Sequence, residues 1–160
     1  MTAERKYTME LFLWRHADAL SGVSDFERAL SQRGHQQAGK AAEWLHEHAG
    51  PALLSDMRIL VSPAVRTRQT AAHFCKEEDK IQLCQPLYEN ASPKEILDIL
   101  GWPDITLPAL IVGHEPQISI FAERLLGVTP HPVSFRKGAL WWLRIEGGRN
   151  KAQLVGVLEP

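Results

Sequence analysis

The sequence predicts an α/β protein: a three-layer α/β/α sandwich around a mainly parallel central sheet. Two observations predict it. Short apolar runs of strand length alternate with segments of helical periodicity, and several helical segments open on a capping residue or a proline. The polar residues that follow the apolar runs include arginine and histidine, as expected where a ligand binds outside the carboxyl ends of parallel strands.

In chain order, residues 9–14 form an apolar run suited to a buried parallel strand. After a polar loop, Ser31 stands where a cap belongs, ahead of a helix over 32–48 whose apolar face holds Ala38, Ala41, Ala42 and Leu45. Residues 57–61 read as a second strand. Ser62-Pro63 then offers a capping serine and a proline at the first helical position, for a helix reaching about residue 76. A short strand is expected over 81–84, and a helix opened by proline over 93–100. Residues 109–112 form a third apolar strand, and Gly113-His114-Glu115-Pro116 turns into a helix over 117–126. Two antiparallel strands, 139–145 and 152–158, close the chain around the turn Gly147-Gly148-Arg149-Asn150 and add an antiparallel edge.

Size and composition narrow the function. The chain has 160 residues, 44% hydrophobic and 23% charged, as in a soluble single-domain protein spanning 1–160 with a sizeable core. Eighteen basic against nineteen acidic residues leave a net charge of −1, which argues against nucleic acid as a partner but leaves room for a local anion site. Cys75 and Cys84 lack metal-site spacing and read as reduced thiols. No apolar run approaches the ~20 residues of a membrane span, and no signal-peptide pattern follows the N-terminus. A cytoplasmic monomer is expected, without membrane attachment.

Three strand ends carry the candidate chemistry. The first ends in Arg15-His16, the second leads to Arg66, and the third leads to His114. Guanidinium groups hold phosphate oxygens in pairs and stay charged at any working pH. A neutral imidazole can attack phosphorus and later release it to water, and neighbouring arginines keep it neutral. The helix starting near Pro116 would add free N–H groups aimed at the same anion. The design requires no metal and no cofactor. An Arg-His pair alone is common; the joint placement after apolar strands lifts His16, Arg66 and His114 above the rest. His46 and His48 read as solvated, His35, His73 and His131 as surface or capping residues. Arg5, Arg124, Arg144 and Arg149 read as solvated charges, and Trp102, Trp141 and Trp142 as core.

The segments Leu13-Trp14-Arg15-His16-Ala17-Asp18-Ala19, Arg28-Ala29-Leu30-Ser31-Gln32-Arg33-Gly34, Val61-Ser62-Pro63-Ala64-Val65-Arg66-Thr67-Arg68-Gln69-Thr70-Ala71 and Val112-Gly113-His114-Glu115-Pro116 resemble the histidine phosphatase (phosphoglycerate mutase-like) superfamily. Within it they are most similar to the SixA-type phosphohistidine phosphatases. The resemblance implies the phosphoglycerate mutase-like fold, His16 as phosphoacceptor, and Arg15, Arg66 and His114 completing the phosphate pocket. It also places Arg28 along the groove near the phosphate. Ala17 stands where the superfamily commonly has glycine, which favours the SixA-type branch. Glu89 and Asp18 are both candidates for a general acid, and many SixA-like enzymes lack one. Imidazole, with a conjugate acid near pKa ~6.5, leaves readily, whereas an alkoxide needs a proton.

The stretch between Thr70 and Glu89 has room for a helix end and a short strand rather than a lid. An open pocket fits a phosphohistidine presented by a histidine-phosphotransfer domain or a phosphocarrier protein. The competing readings are a small-molecule phosphatase or mutase of the same fold and a non-catalytic phosphate-binding module.

Overall fold

A computed structural model describes residues 8–128, 133–146 and 151–160. Its six-stranded sheet comprises β1 (Thr8–Arg15), β2 (Arg58–Val61), β3 (Ile81–Leu83), β4 (Ala109–Gly113), β5 (Leu140–Glu146) and β6 (Ala152–Leu158), ordered β3-β2-β4-β1-β5-β6. Strands β3, β2, β4 and β1 run parallel, while β5 pairs antiparallel with β1 and β6 antiparallel with β5. The expected antiparallel edge is therefore present. The turn proposed at 147–150 lies outside the described residues, as do Arg5 and His131.

Among the described residues, five α-helices cover the sheet: α1 (Gln32–Ala49), α2 (Pro51–Asp56), α3 (Val65–Ala72), α4 (Pro93–Leu100) and α5 (Gln117–Leu126). Strand β1 is apolar on both sides because both of its faces are covered. Phe12 and Trp14 point into one core with Ala38, Ala41, Leu45 and Ala71 of α1 and α3. Leu11 and Leu13 point into the other, with Ile96 and Leu100 of α4 and Phe121 and Leu125 of α5. The alternation along one strand thus builds the three layers. Trp102 and Trp141 pack at the margin of the α4–α5 core, and Trp142 at the margin of the other.

The sequence placed α1, α4 and α5 within about one residue of their observed limits. Ser31 caps α1 through a hydrogen bond from the Gly34 amide at 3.0 Å. Ser92 does the same for α4 through the Glu95 amide at 3.2 Å. Two differences matter. Helix α2 follows Gly50, which has a φ of +77°, and is too short to show a periodicity of its own. Helix α3 begins at Val65 with Ala64 as its cap residue, and no side chain caps it. Ser62 is not the cap, because its hydroxyl lies 2.7 Å from His114 Nε2. The same helix ends at Ala72 rather than near 76, and Phe74 and Cys75 turn back onto the Ala71 carbonyl.

Candidate active site

Sheet register assembles the site. Arg15 of β1 pairs with Gly113 of β4, and Val61 of β2 pairs with Val112. His16 and His114 therefore leave neighbouring strands at one level, with Ser62, after β2, one residue short of them. The His16 amide bonds to the Gly113 carbonyl at 3.0 Å and the Ser62 amide to the Val112 carbonyl at 3.1 Å. The rings of His16 and His114 stand 5.4 Å apart between centroids. Arg66, one residue into α3, reaches over from the helix and donates from Nη2 to His114 Nδ1 at 3.2 Å. These three side chains are almost wholly buried, with exposures of 7% for His16, 6% for Arg66 and 8% for His114.

The hydrogen-bond partners fix both imidazole tautomers. His16 Nδ1 lies 2.7 Å from the Ala17 carbonyl. A carbonyl only accepts, so Nδ1 carries the hydrogen and Nε2 presents a lone pair. His114 Nδ1 accepts from Arg66, so its Nε2 carries the hydrogen and donates to Ser62 Oγ. Burial, with His114, Arg66 and Arg15 nearby, pushes the His16 pKa down to about 3 against the support of the Ala17 carbonyl. Burial and then Arg66 push His114 down to about 4. Both rings are neutral at pH 7.

Arg15 is anchored from the other side. Its Nη1 donates to the Phe135 carbonyl at 2.7 Å, and its charge contributes to the lowered pKa of both histidines. The Nε atoms of Arg15 and Arg66 are buried and lack an acceptor among the described residues. Two uncommitted donors beside two neutral imidazoles, with the guanidinium charges close by, are chemically able to hold an anion.

Arg28, expected along the groove near the phosphate, sits beside Asp25, the residue that contacts Arg66. Arg28 Nε donates to the Leu20 carbonyl at 2.8 Å, and its Nη1 stands 3.5 Å from Asp25 Oδ1. Asp18 is bonded to Ser31 Oγ at 2.6 Å and to Lys137 Nζ at 3.0 Å; these contacts hold its carboxyl below the usual range. Glu89 is exposed and accepts from Gln85 Nε2 at 3.0 Å. At the start of α5, two of the amides expected to face the site are engaged within the chain. The Ile118 amide bonds to the His114 carbonyl, and the Ser119 amide to Glu115 Oε1 at 3.1 Å. Arg144 is not merely solvated: its Nε meets Glu10 Oε1 at 2.6 Å.

Sequence reasoning missed the groups that hold the site together. Thr70 Oγ1 accepts from the Ala17 amide at 3.1 Å and donates to the Arg66 carbonyl. Gln69 Oε1 accepts from the Leu30 amide at 2.7 Å. Thr67 Oγ1 donates back to the Ser62 carbonyl at 2.7 Å. The polar stretch after Arg66 is thus a set of ties from α3 to β2, to the end of β1 and to the 17–31 loop. Asp25 and Tyr88 also reach the site. Asp25 contacts Arg66, and the Tyr88 ring stands edge-on to His114 at 5.8 Å. No local signal in the sequence marks either residue.

Comparison with known proteins agrees with this geometry. The model of the histidine phosphatase superfamily (branch 1) matches residues 11–91. An uncharacterized Mycobacterium tuberculosis protein is 34% identical over 117 residues, covering 72% of this chain and 71% of its own length. The Nakamurella multipartitia protein provisionally named phosphohistidine phosphatase SixA superposes with a TM-score of 0.78 at 28% identity, covering 96% of this chain and 97% of that one. The similarly named Agrobacterium tumefaciens protein gives a TM-score of 0.75 at 25% identity, with coverages of 95% and 99%.

Proposed function

The chain belongs to the histidine phosphatase superfamily and is a phosphatase of that fold, and on this footing we propose that it removes phosphoryl groups from phosphohistidine on a protein. The observation that carries the proposal is the state of His16. Its Nδ1–H is committed to the Ala17 carbonyl, its Nε2 lone pair is free of a proton down to about pH 3, and the buried Arg66 and half-buried Arg15 lie nearby. A nucleophile for phosphorus needs those properties.

The reaction proceeds in two displacements. His16 Nε2 attacks the phosphorus, and the bond from phosphorus to the substrate ring nitrogen breaks, its electron pair leaving with that ring. Protonated on its other nitrogen, the substrate imidazole departs neutral, so the step needs no protein acid. This suits a site in which Asp18 and Glu89 are engaged elsewhere. A water oxygen then attacks the phosphorus. The P–Nε2 bond breaks, its electron pair returns to His16, and orthophosphate forms. Arg15 and Arg66 stabilise the equatorial oxygens through both steps, and His114 closes the pocket beside them.

A protein substrate is supported by the surroundings of the pocket. Between α3 and α4 the chain forms only β3 and short 3-10 turns, which leaves the mouth open. Leu20, Val23 and Phe26, exposed at 54%, 57% and 38%, add apolar surface to the loop that carries Asp25. The names of the Nakamurella and Agrobacterium proteins point the same way.

The test is turnover of a ³²P-phosphohistidine phosphotransfer domain beside aryl, sugar and nucleotide phosphates. The phosphohistidine protein is expected to be the faster substrate, with an acid-labile, alkali-stable label trapped on the enzyme. His16→Ala removes both label and turnover, and Arg66→Ala lowers kcat by about 10²-fold or more. Faster cleavage of small esters would overturn the substrate class, and a label that persists in His16→Ala would overturn the nucleophile.

A further inference from the structure

Two oxygens of one exposed residue grip the buried Arg66. The Asp25 carbonyl accepts from Nη1 at 2.7 Å and Asp25 Oδ2 accepts from Nη2 at 3.1 Å. We infer that Asp25 is a positioning residue for the phosphoryl site, fixing the plane of the Arg66 guanidinium, and that Arg28 acts on the site through Asp25. The inference rests on the reading of Arg66 as a phosphoryl clamp.

A guanidinium is planar, so acceptors on both terminal nitrogens set its orientation. The other Nη2 hydrogen goes to His114 Nδ1 at 3.2 Å. The grip therefore also fixes the contact that selects the His114 tautomer. What remains of Arg66 for an anion is the buried Nε–H, without an acceptor among the described residues, and one Nη1 hydrogen. Asp25 holds the outer Nη1–Nη2 edge and leaves these two hydrogens, on opposite flanks of the guanidinium, uncommitted.

Stability does not account for Asp25. Its side chain is 57% exposed, and ion pairs of that kind contribute little. Its 3-10 turn, Asp25–Glu27, buries no residue. Polar contacts set its position instead: Tyr88 Oη donates to Oδ2 at 3.1 Å, and Arg28 Nη1 stands 3.5 Å from Oδ1. Phe26 adds an edge-on contact with Tyr88 at 5.2 Å. Arg28 also donates to the Leu20 carbonyl, so it braces the loop and the Asp25 carboxylate together. The alternative is that Asp25 competes with the phosphoryl group for Arg66. Against it stands the backbone carbonyl contact, which no side-chain movement releases.

The experiment compares Asp25→Ala, Asp25→Asn, Arg28→Ala and the double variant Asp25→Ala/Arg28→Ala in the full chain. It follows kcat and KM on the phosphohistidine protein and, independently of turnover, orthophosphate binding by calorimetry. Asp25→Ala is expected to lower kcat by about tenfold or more with a smaller change in KM, and to weaken orthophosphate binding. Asp25→Asn restores most of both, because its amide oxygen still accepts from Nη2. Arg28→Ala lowers kcat in the wild-type background and adds nothing to Asp25→Ala. All variants keep the wild-type Tm. Tighter orthophosphate binding in Asp25→Ala and Asp25→Asn would make Asp25 a competitor and overturn the inference. So would an unchanged kcat, or an Arg28→Ala effect undiminished in the double variant. If the wild type binds orthophosphate but turns over no phosphoester or phosphohistidine, the phosphatase reading fails, and the binding arm still decides the role of Asp25.

Discussion

At pH 7 the two site histidines are neutral because their burial leaves no water to solvate a positive ring, and that arrangement makes the fold sensitive to acid. In the unfolded chain each would titrate near the ordinary value of ~6.5; folded, His16 titrates at about 3 and His114 at about 4. Between those limits the unfolded state binds more protons than the native state. Stability contributed by neutral burial is therefore fully present above pH ~6.5 and is lost as the pH falls toward the folded values. Each histidine should add about 1.4 kcal/mol per pH unit to the slope of unfolding free energy against pH between roughly 6 and 4.5. Denaturant unfolding of the wild type and of His16→Asn/His114→Asn at several pH values measures it. The double variant is expected to show the shallower slope. Equal slopes would mean that the native rings take up protons and are not neutral at the site.

At the scale of single elements, what the sequence revealed depended on whether the cause was local. Ser31 and Ser92 act on amides three residues ahead, so their helices were legible. Ser62 carries the same local pattern, but its hydroxyl serves His114, 52 residues away, and no window of sequence contains both. His16, Arg66 and His114 were legible because each follows a strand end. Asp25 and Tyr88 were not, because they sit outside the α-helices and strands and their partners, Arg66 on α3 and Asp25 itself, lie 41 and 63 residues off. Two glycines of α1 make a comparable contrast, since Gly34 and Gly39 look alike in the sequence. A Cβ on Gly34 would stand 2.0 Å from the Asp18 carbonyl oxygen, whereas one on Gly39 would meet only His73 Nδ1, at 3.8 Å. Gly39→Ala should therefore stabilise the protein by about 0.5–1 kcal/mol through helix propensity. Gly34→Ala should destabilise it by about 1–3 kcal/mol and lower kcat, because Asp18 is two residues from His16. Chemical denaturation with activity assays separates the two. A Gly34→Ala variant as stable and active as the wild type would remove the close approach from the account.

At the scale of the molecule, the site is where the sheet, both arms of the 17–31 loop and α3 meet, so whatever binds there holds the whole fold rather than one loop. Strand β1 sits between β4 and β5 in the middle of the sheet, with cores on both faces, and its last residue is Arg15. The Ala17 amide is tied to Thr70 and the Leu30 amide to Gln69. Unfolding any of these elements dismantles the anion site. An anion that binds only the native arrangement must then stabilise the entire transition by RT ln(1 + [L]/Kd), about 2.7 kcal/mol at a hundredfold excess over Kd. For a chain of 160 residues that corresponds to a rise in Tm of roughly 5–10 °C. Orthophosphate is expected to produce that rise in the wild type as one cooperative transition, and scanning calorimetry with increasing phosphate measures it. Arg66→Ala should lose most of the shift while keeping a single transition. A rise of equal size in Arg66→Ala would show that phosphate stabilises the protein from elsewhere. A wild-type transition that splits in two would show that the site reports on one part of the fold and not on the whole.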